Sequence, residues 1–388
     1  MNLVFFAHPD FVGHKSMPRF ARMLSNGMAE RGHSVDVWFP LPVLSKLSQN
    51  LFIKKWLGYV DQYVIFPRRL RKLLKQVPAD TLFIFTDQAL GPWVPLVTDR
   101  PHVIHCHDFI ALQSALGEIP ENRTGWTGTQ YQKLIRRGFS AGKNFISVSN
   151  KTRLDLHRFL PAPPAISEVV YNGLHRAFYP ENLVTARNAF SKRTNTDLNS
   201  GYVLHVGGNI WYKNKLGVIE IYDAWRAISK VSLPLVLIGE PLSEELVARI
   251  KQSPFKKDIQ VYTGIEDDYI GFAYSGATVM LFPSFDEGFG WPIAEAMAAG
   301  TLVMTTGEAP MSEVAGTAGF LIERRPGPGK DGQQWALKSA IVLDRIVNLS
   351  TEERKNHIAT SVANASRFNT ANALDKIESI YQRIAREG

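Results

Sequence analysis

One cysteine, Cys106, stands among 388 residues, so no disulfide can form within the chain and nothing demands an oxidising compartment. Its ordinary reading is a small buried hydrophobe in a strand. Long apolar runs are also missing, since no stretch approaches the roughly 18 uninterrupted apolar residues of a spanning helix. Leu3 to Ala7 is apolar but too short for the core of a signal peptide, and neither a basic flank nor a small-residue cleavage site frames it. The expectation is a protein that is not integral to a membrane: cytoplasmic, or peripheral at the membrane's inner face. No internal repeat or long low-complexity tract occurs. After the strand ending at Val206, Gly207-Gly208-Asn209 lacks the G-x-G-x-x-G fingerprint, which argues against a nicotinamide-dependent oxidoreductase. No RNP-like or zinc-finger pattern supports a nucleic-acid partner. His105, His107 and Asp108 are the nearest approach to a metal cluster, and no further ligands of suitable spacing join them, so neither metal nor cofactor is expected.

What the chain does have is an uneven charge. The net charge is +8, but residues 1–180 hold 22 basic and 12 acidic side chains, whereas residues 181–388 hold 22 and 24. Within the basic half, Lys46 to Lys75 carries eight basic residues and one acid, Asp61, interleaved with apolar and aromatic residues such as Phe52, Trp56 and Tyr63. Two readings stay open. Such a stretch can lie on an anionic membrane surface, or it can be a solvated helix pair whose apolar face joins the core.

Strand-like apolar runs alternate with helix-period segments along the whole length, which argues an α/β architecture with parallel sheets. The first half contains strand candidates at Asn2–Ala7, Val35–Phe39, Leu82–Phe85, Val103–Cys106 and Phe145–Val148, with a helix from about Met17 capped by Ser16. Turn residues loosen the pattern around Asn172, Gly173 and Pro180, and Asn182–Ser200 is polar. A second half restarts at Tyr202–Val206 and continues through Leu235–Ile238, Ile259–Tyr262, Val279–Phe282 and Leu302–Thr305, with a helix over Lys215–Ile228. The expected domains are therefore 1–180 and 181–368, two Rossmann-like doubly wound halves. A final helix over 369–388 is expected to pack back on the first.

The densest chemistry lies in Asp286 to Glu295. Glu287 and Glu295 stand eight positions apart around a glycine-rich turn, and Pro292 suits the first turn of a helix, where its missing N–H costs nothing. That reading puts Glu295 in a first turn. The run Ala277–Phe282 reads as a buried strand, so the segment is a strand-to-helix loop with free amides of the kind that bind anions. Carboxylates accept hydrogen bonds from hydroxyls and amides hold phosphate, so a sugar nucleotide is the ligand that uses both.

His107-Asp108, Val148-Ser149, Tyr171-Asn172-Gly173, Val206-Gly207-Gly208 with Lys213-Asn214, Gly264-Ile265, and the glutamate pair with Glu295-Ala296-Met297-Ala298-Ala299-Gly300 follow one another in an order that resembles GT-B glycosyltransferases of family 4. The resemblance covers most of the chain and implies two Rossmann-like domains facing a central cleft. It implies a retaining transfer from a nucleoside diphosphate sugar, by front-face displacement in which the departing phosphate oxygen takes the acceptor proton. UDP-glucose or a similar hexose donor is expected, with a saccharide or lipid-linked saccharide as acceptor and an anionic membrane surface as a further partner. By the same resemblance, Glu287 meets donor-sugar hydroxyls and the Gly288-Phe289-Gly290 backbone meets sugar and phosphate. Glu295 accepts from the ribose, Ile265 lies at the base, and Gly208 and Asn209 line the donor site. Lys213 neutralises the leaving diphosphate, and His107 sits near the donor sugar from the other domain. Glu287, Lys213 and His107 are thus the catalytic candidates. The family usually sets an Arg immediately before this Lys; here the position is Tyr212, and Lys215 or Arg19 are the candidates to compensate. If the first half is wound like the second, the loop His14-Lys15-Ser16 faces the same cleft, toward acceptor or diphosphate. The rival readings are a sugar-nucleotide epimerase of the same architecture, which needs no acceptor, and a basic binding module without catalysis.

Overall fold

The computed structural model describes residues 1–9, 11, 16–174, 178–327 and 331–387. Two six-stranded parallel sheets organise the chain. The first contains β1 (Asn2–Phe6), β2 (Ser34–Trp38), β3 (Leu82–Phe85), β4 (His102–Cys106), β5 (Asn144–Ser147) and β6 (Ile166–Val169), in the order β2-β1-β3-β4-β5-β6. The second contains β7 (Val203–Gly207), β8 (Leu235–Gly239), β9 (Ile259–Thr263), β10 (Val279–Phe282), β11 (Val303–Thr306) and β12 (Phe320–Ile322), in the order β12-β11-β10-β7-β8-β9.

The apolar strands explain the sandwich of helices around each sheet. Successive side chains of a strand point to opposite faces, and a parallel sheet covered on both faces needs both kinds apolar. In the first sheet, Val4, Phe6, Phe83 and Phe85 enter one core while Leu3, Phe5, Leu82 and Ile84 enter the other. In the second, Val203, Leu235, Leu237, Val279 and Leu281 pack with Val218, Tyr222 and Trp225 of the helix Lys215–Ile228. Each such fully buried side chain contributes about 1.5–3 kcal/mol relative to exposure.

The strands fall where the apolar runs do, within a residue or two, and β6 and β12 add two that the reading did not include. Both are short: Ser167 and Glu168 interrupt the apolar character of β6, and β12 has only three residues with Leu321 exposed. The polar stretch after 182 also contains a helix, Leu183–Thr194. Asn182 caps it by accepting from the Val184 and Thr185 amides, only Ala186 and Phe190 are buried, and Asn195 ends it in the left-handed conformation. Two buried residues four apart are too narrow a stripe to stand out in sequence.

Two compact units result. One comprises residues 1–118, 123–173 and the segment from Thr370 onward; the other comprises 119–122 and 174–369. The divide falls after Gly173, earlier than residue 180. The closing helix Thr370–Glu387 completes the first unit's core with Leu374, Ile377, Ile380, Tyr381 and Ile384, and the Tyr381 hydroxyl lies 2.7 Å from His105 Nε2. A Cβ on Gly27 would come within 2.6 Å of Leu374, so the glycine lets this helix approach closely.

Each sheet has one point where the chain's winding reverses, between β1 and β3 in the first and between β7 and β10 in the second. Ligands of doubly wound sheets bind beyond the carboxyl ends of the strands at such points. As a test of the closing helix, Ile377→Ala should lower stability by about 2–5 kcal/mol, read as a fall in the urea midpoint at unchanged slope; an unmoved midpoint would show that the helix docks outside the core.

Candidate functional site

At the second sheet's reversal, Lys213 follows β7 and Glu287 follows β10. Their spacing of 74 residues disappears in the fold: Lys213 Nζ donates to Glu287 Oε1 at 2.8 Å and to Oε2 at 2.9 Å. Asn214 creates the geometry. It adopts a left-handed backbone (φ 51°), accepts from the Gly217 amide to cap the helix Lys215–Ile228, and donates from Nδ2 to the Pro283 carbonyl at 2.9 Å. That last bond ties the loop after β7 to the loop after β10. Lys213 is further held 4.9 Å from the Phe282 ring centre and 5.6 Å from that of Tyr212, both suited to cation–π attraction.

Glu287 is buried, and the Ser284 hydroxyl donates to its Oε1 at 2.9 Å. Burial raises its carboxyl above the ordinary 4.5, with Lys213 opposing the rise as the largest favourable contribution. The pair thus presents a cation for phosphate and an acceptor for hydroxyls within one ion-pair length. Glu295 lies in the helix Trp291–Ala298, which starts at Gly290 with φ 101° and carries Pro292 second. Counted from Trp291, Glu295 is the fifth helical residue, so it opens the second turn rather than sitting in the first. One oxygen of Glu295 accepts from the Tyr274 hydroxyl at 2.9 Å. Phe289 is buried with its ring against Phe368, leaving Gly288 as the more open part of the turn.

The other side of the loop after β7 is equally organised. Asn209 Oδ1 accepts from Lys215 Nζ at 2.8 Å, its Nδ2 donates to the Pro241 carbonyl, and its amide reaches Glu240 Oε2 at 3.5 Å. A Cβ on Gly208 would sit 3.3 Å from that Glu240 oxygen, so glycine keeps the turn close to the carboxylate. His205, beneath, uses Nδ1 to donate to the Leu281 carbonyl at 2.9 Å and is held neutral, its pKa pushed down to about 3 by burial. Gly264 is exposed with φ 66° and Ile265 half-buried after β9; the acids that follow open the helix Asp267–Gly276, while Glu266 pairs with Arg193 at 2.7 Å. Acids in a first helical turn complement the macrodipole.

In the first unit, His107 follows β4 and is buried. Its Nε2–H donates to the Thr86 carbonyl at 2.9 Å, its amide donates to Gln88 Oε1, and desolvation lowers its pKa. Phe20 touches both His105 and His107, which share a face as their spacing requires. Beside His107, at the first sheet's reversal, His8 and Asp87 pair at 2.8 Å. His8 and Asp87 escaped the sequence reading, although each lies two residues past the end of a strand. His14 and Lys15 lie outside the described residues; Ser16 opens the helix Ser16–Glu30, and its side chain is not among those described.

A sequence model of the group 1 glycosyl transferases matches residues 186–329, and one of Glycosyltransferase Family 4 matches residues 17–178. Between them the two models span most of the chain, which is a GT-B glycosyltransferase resembling family 4. The O-antigen chain mannosyltransferase B of Escherichia coli is 29% identical over 125 residues, 32% of this chain and 33% of that protein, so the match spans a third of its length. Sucrose-phosphate synthase from Thermosynechococcus elongatus superposes with a TM-score of 0.72 at 15% identity, covering 100% of both chains. HepE from Anabaena, solved in complex with UDP-glucose, superposes with a TM-score of 0.65 at 16% identity over 99% of this chain and 100% of that one. At these identities the two structures speak for the fold.

Within this GT-B fold, removing Lys213 leaves Glu287 buried without its cation. Lys213→Met should therefore cost about 3–5 kcal/mol near pH 7. A carboxyl with a raised folded pKa contributes stability below its unfolded value, near 4.5, that is lost as pH rises. The deficit should accordingly shrink toward pH 4, and Lys213→Met/Glu287→Gln should recover much of it; urea midpoints across that range decide, and a deficit indifferent to pH would contradict the pairing.

Proposed function

We propose that the chain transfers a hexose from a nucleoside diphosphate sugar, a UDP-hexose in the first instance, to a saccharide or lipid-linked saccharide, with retention at the anomeric carbon. The observation that carries this reading is the buried Lys213–Glu287 pair at the winding reversal of the second sheet. A diphosphate takes the ammonium, the sugar hydroxyls take the carboxylate, and both ions exchange one partner for another without being left unpaired. The charge that grows on the leaving diphosphate is then met by a group already in place. Glu287 is engaged on both oxygens by Lys213 and Ser284, which suits an acceptor of hydroxyl hydrogen bonds better than a nucleophile. Front-face attack, with the departing phosphate oxygen taking the acceptor proton, fits that division of labour.

The anion-rich partner of the basic half is a membrane surface. The helix Leu51–Val60 exposes its first six residues, with Leu51 83% and Phe52 70% exposed, and Ile53 and Trp56 complete an apolar face. Lys54 and Lys55 sit within it and Lys46 precedes it. Asn50 caps the helix, and the buried Asp61 carboxylate holds the incoming segment by accepting from the amides of Val43, Leu44 and Ser45. By contrast Phe66 and Leu70, in the helix Phe66–Leu73, join the core. Exposed aromatic and aliphatic side chains beside lysines suit the headgroup region of an anionic bilayer. Among the described residues no helix is long and apolar enough to cross one.

Incubation with UDP-, GDP- and ADP-sugars should give hydrolysis or transfer with a UDP-hexose, and Glu287→Ala should abolish turnover while leaving the circular dichroism unchanged. The mannosyltransferase relative makes GDP-mannose the next donor to try; undiminished turnover by Glu287→Ala with every donor would reject the site. For the second partner, co-sedimentation with anionic vesicles should weaken with salt and on Phe52→Glu/Trp56→Glu. Sedimentation indifferent to lipid charge and to salt would reject the surface.

A further inference from the structure

We propose that Lys215 is the second positive group of the diphosphate site, standing in for the Arg that the family resemblance implies at the position of Tyr212. The inference rests on the donor-site reading above and adds how this chain supplies a charge that reading leaves short.

Tyr212 occupies the Arg position. Its carbonyl accepts from the Phe285 amide at 2.8 Å and its ring lies against Lys213, so it props the lysine without adding charge. Lys215 is two residues on, the first residue of the helix Lys215–Ile228, with 5% of its surface exposed. Both facts are costly. A cation opposes the macrodipole at a helix N-terminus, and lysine is rarely buried without an opposite charge. Yet among the described residues its ammonium forms no ion pair; it donates to a neutral amide oxygen, Asn209 Oδ1, at 2.8 Å. A position that breaks two local rules, with only a neutral hydrogen-bond partner and the more distant Glu240 carboxylate in its favour, is where a ligand's contribution is expected.

The direction is set by the backbone. The left-handed Asn214 between the two lysines sends Lys213 toward β10 and Lys215 toward β8, where a Cβ on Gly239 would lie 3.5 Å from Nζ. Gly207-Gly208-Asn209 therefore runs between two ammonium groups. Lys215 also orients Asn209, whose Nδ2 is fastened to the Pro241 carbonyl, and so holds the amides of this turn in one arrangement. The charged and titratable groups facing Lys215 are Glu240 after β8 and His205 on β7, which is neutral. Glu240 favours the ammonium, but desolvation outweighs it and the pKa is pushed down to about 8. A diphosphate arriving at the turn would draw that pKa upward, so binding takes up a proton above pH 8.

Calorimetric titration with UDP, and GDP in parallel, tests this on the full chain. Wild type should lose affinity as pH rises through about 8. Lys215→Met should bind roughly tenfold more weakly near pH 7, the size of one charge-assisted hydrogen bond, and should lose the pH slope. Tyr212→Arg added to Lys215→Met should restore affinity without restoring the slope, because arginine stays charged. Unfolding curves confirm that each variant is folded; should Lys215→Met not fold, Lys215→Gln takes its place. Affinity and slope that survive the loss of Lys215, or weakening without loss of the slope, would overturn the inference while leaving the donor site standing. Wild type that binds neither nucleotide at any pH would overturn both.

Discussion

The candidate site depends on one left-handed residue. Asn214 caps the helix after β7 with its carbonyl oxygen and clasps the Pro283 carbonyl after β10 with its amide, so two loops that are distant in sequence share one rigid corner. Because its backbone turns with φ 51°, the lysines on either side leave in different directions. Few residues tolerate that conformation, and asparagine alone among the common ones adds a side chain able both to accept and to donate. Without this corner there is no reason for Lys213 to meet Glu287.

That meeting illustrates how a buried charge pair is better understood as preparation than as stabilisation. Desolvating two ions costs about as much as their attraction returns. The pair is therefore poor value as a structural device and well suited to a ligand bearing both phosphate and hydroxyls, which can take over each half. Lys215 extends the same logic to a cation held by a neutral partner. Together the two lysines and Glu287 place strong fields around a glycine turn whose lack of side chains lets a ligand reach the backbone.

The two sheets also show a common design in their loops. In each, a hydrogen-bonded pair containing a carboxylate closes the point where the winding reverses: Lys213 with Glu287 in the second sheet and His8 with Asp87 in the first. In each, the partners come from the ends of adjacent strands that are not consecutive in the chain. The exposed face of Leu51–Trp56 follows a different rule, since its apolar side chains are displayed to solvent while Asp61 anchors the segment that leads into it.

The alternation of apolar runs and the glycine-rich glutamate loop were legible because they are local. Strand period, helix period, the proline at a helix start and the order of short motifs are all written within windows of a dozen residues. From these follow the α/β class, the GT-B fold and the candidacy of Glu287, Lys213 and Glu295. What stayed hidden was contact between distant segments. The sequence offers no sign that Lys213 neutralises Glu287 or that His8 pairs with Asp87, nor that the Asn209 side chain is spent on Lys215 and Pro241. The weak strands β6 and β12 were equally obscure, β6 because two of its four residues are polar and β12 because three residues are too few to show a strand period, so that sheet pairing defines both. Tertiary structure decided these points for one physical reason: the energy of an ion or a ladder hydrogen bond depends on its partner and on the water removed around it. Neither is a property of the residue alone.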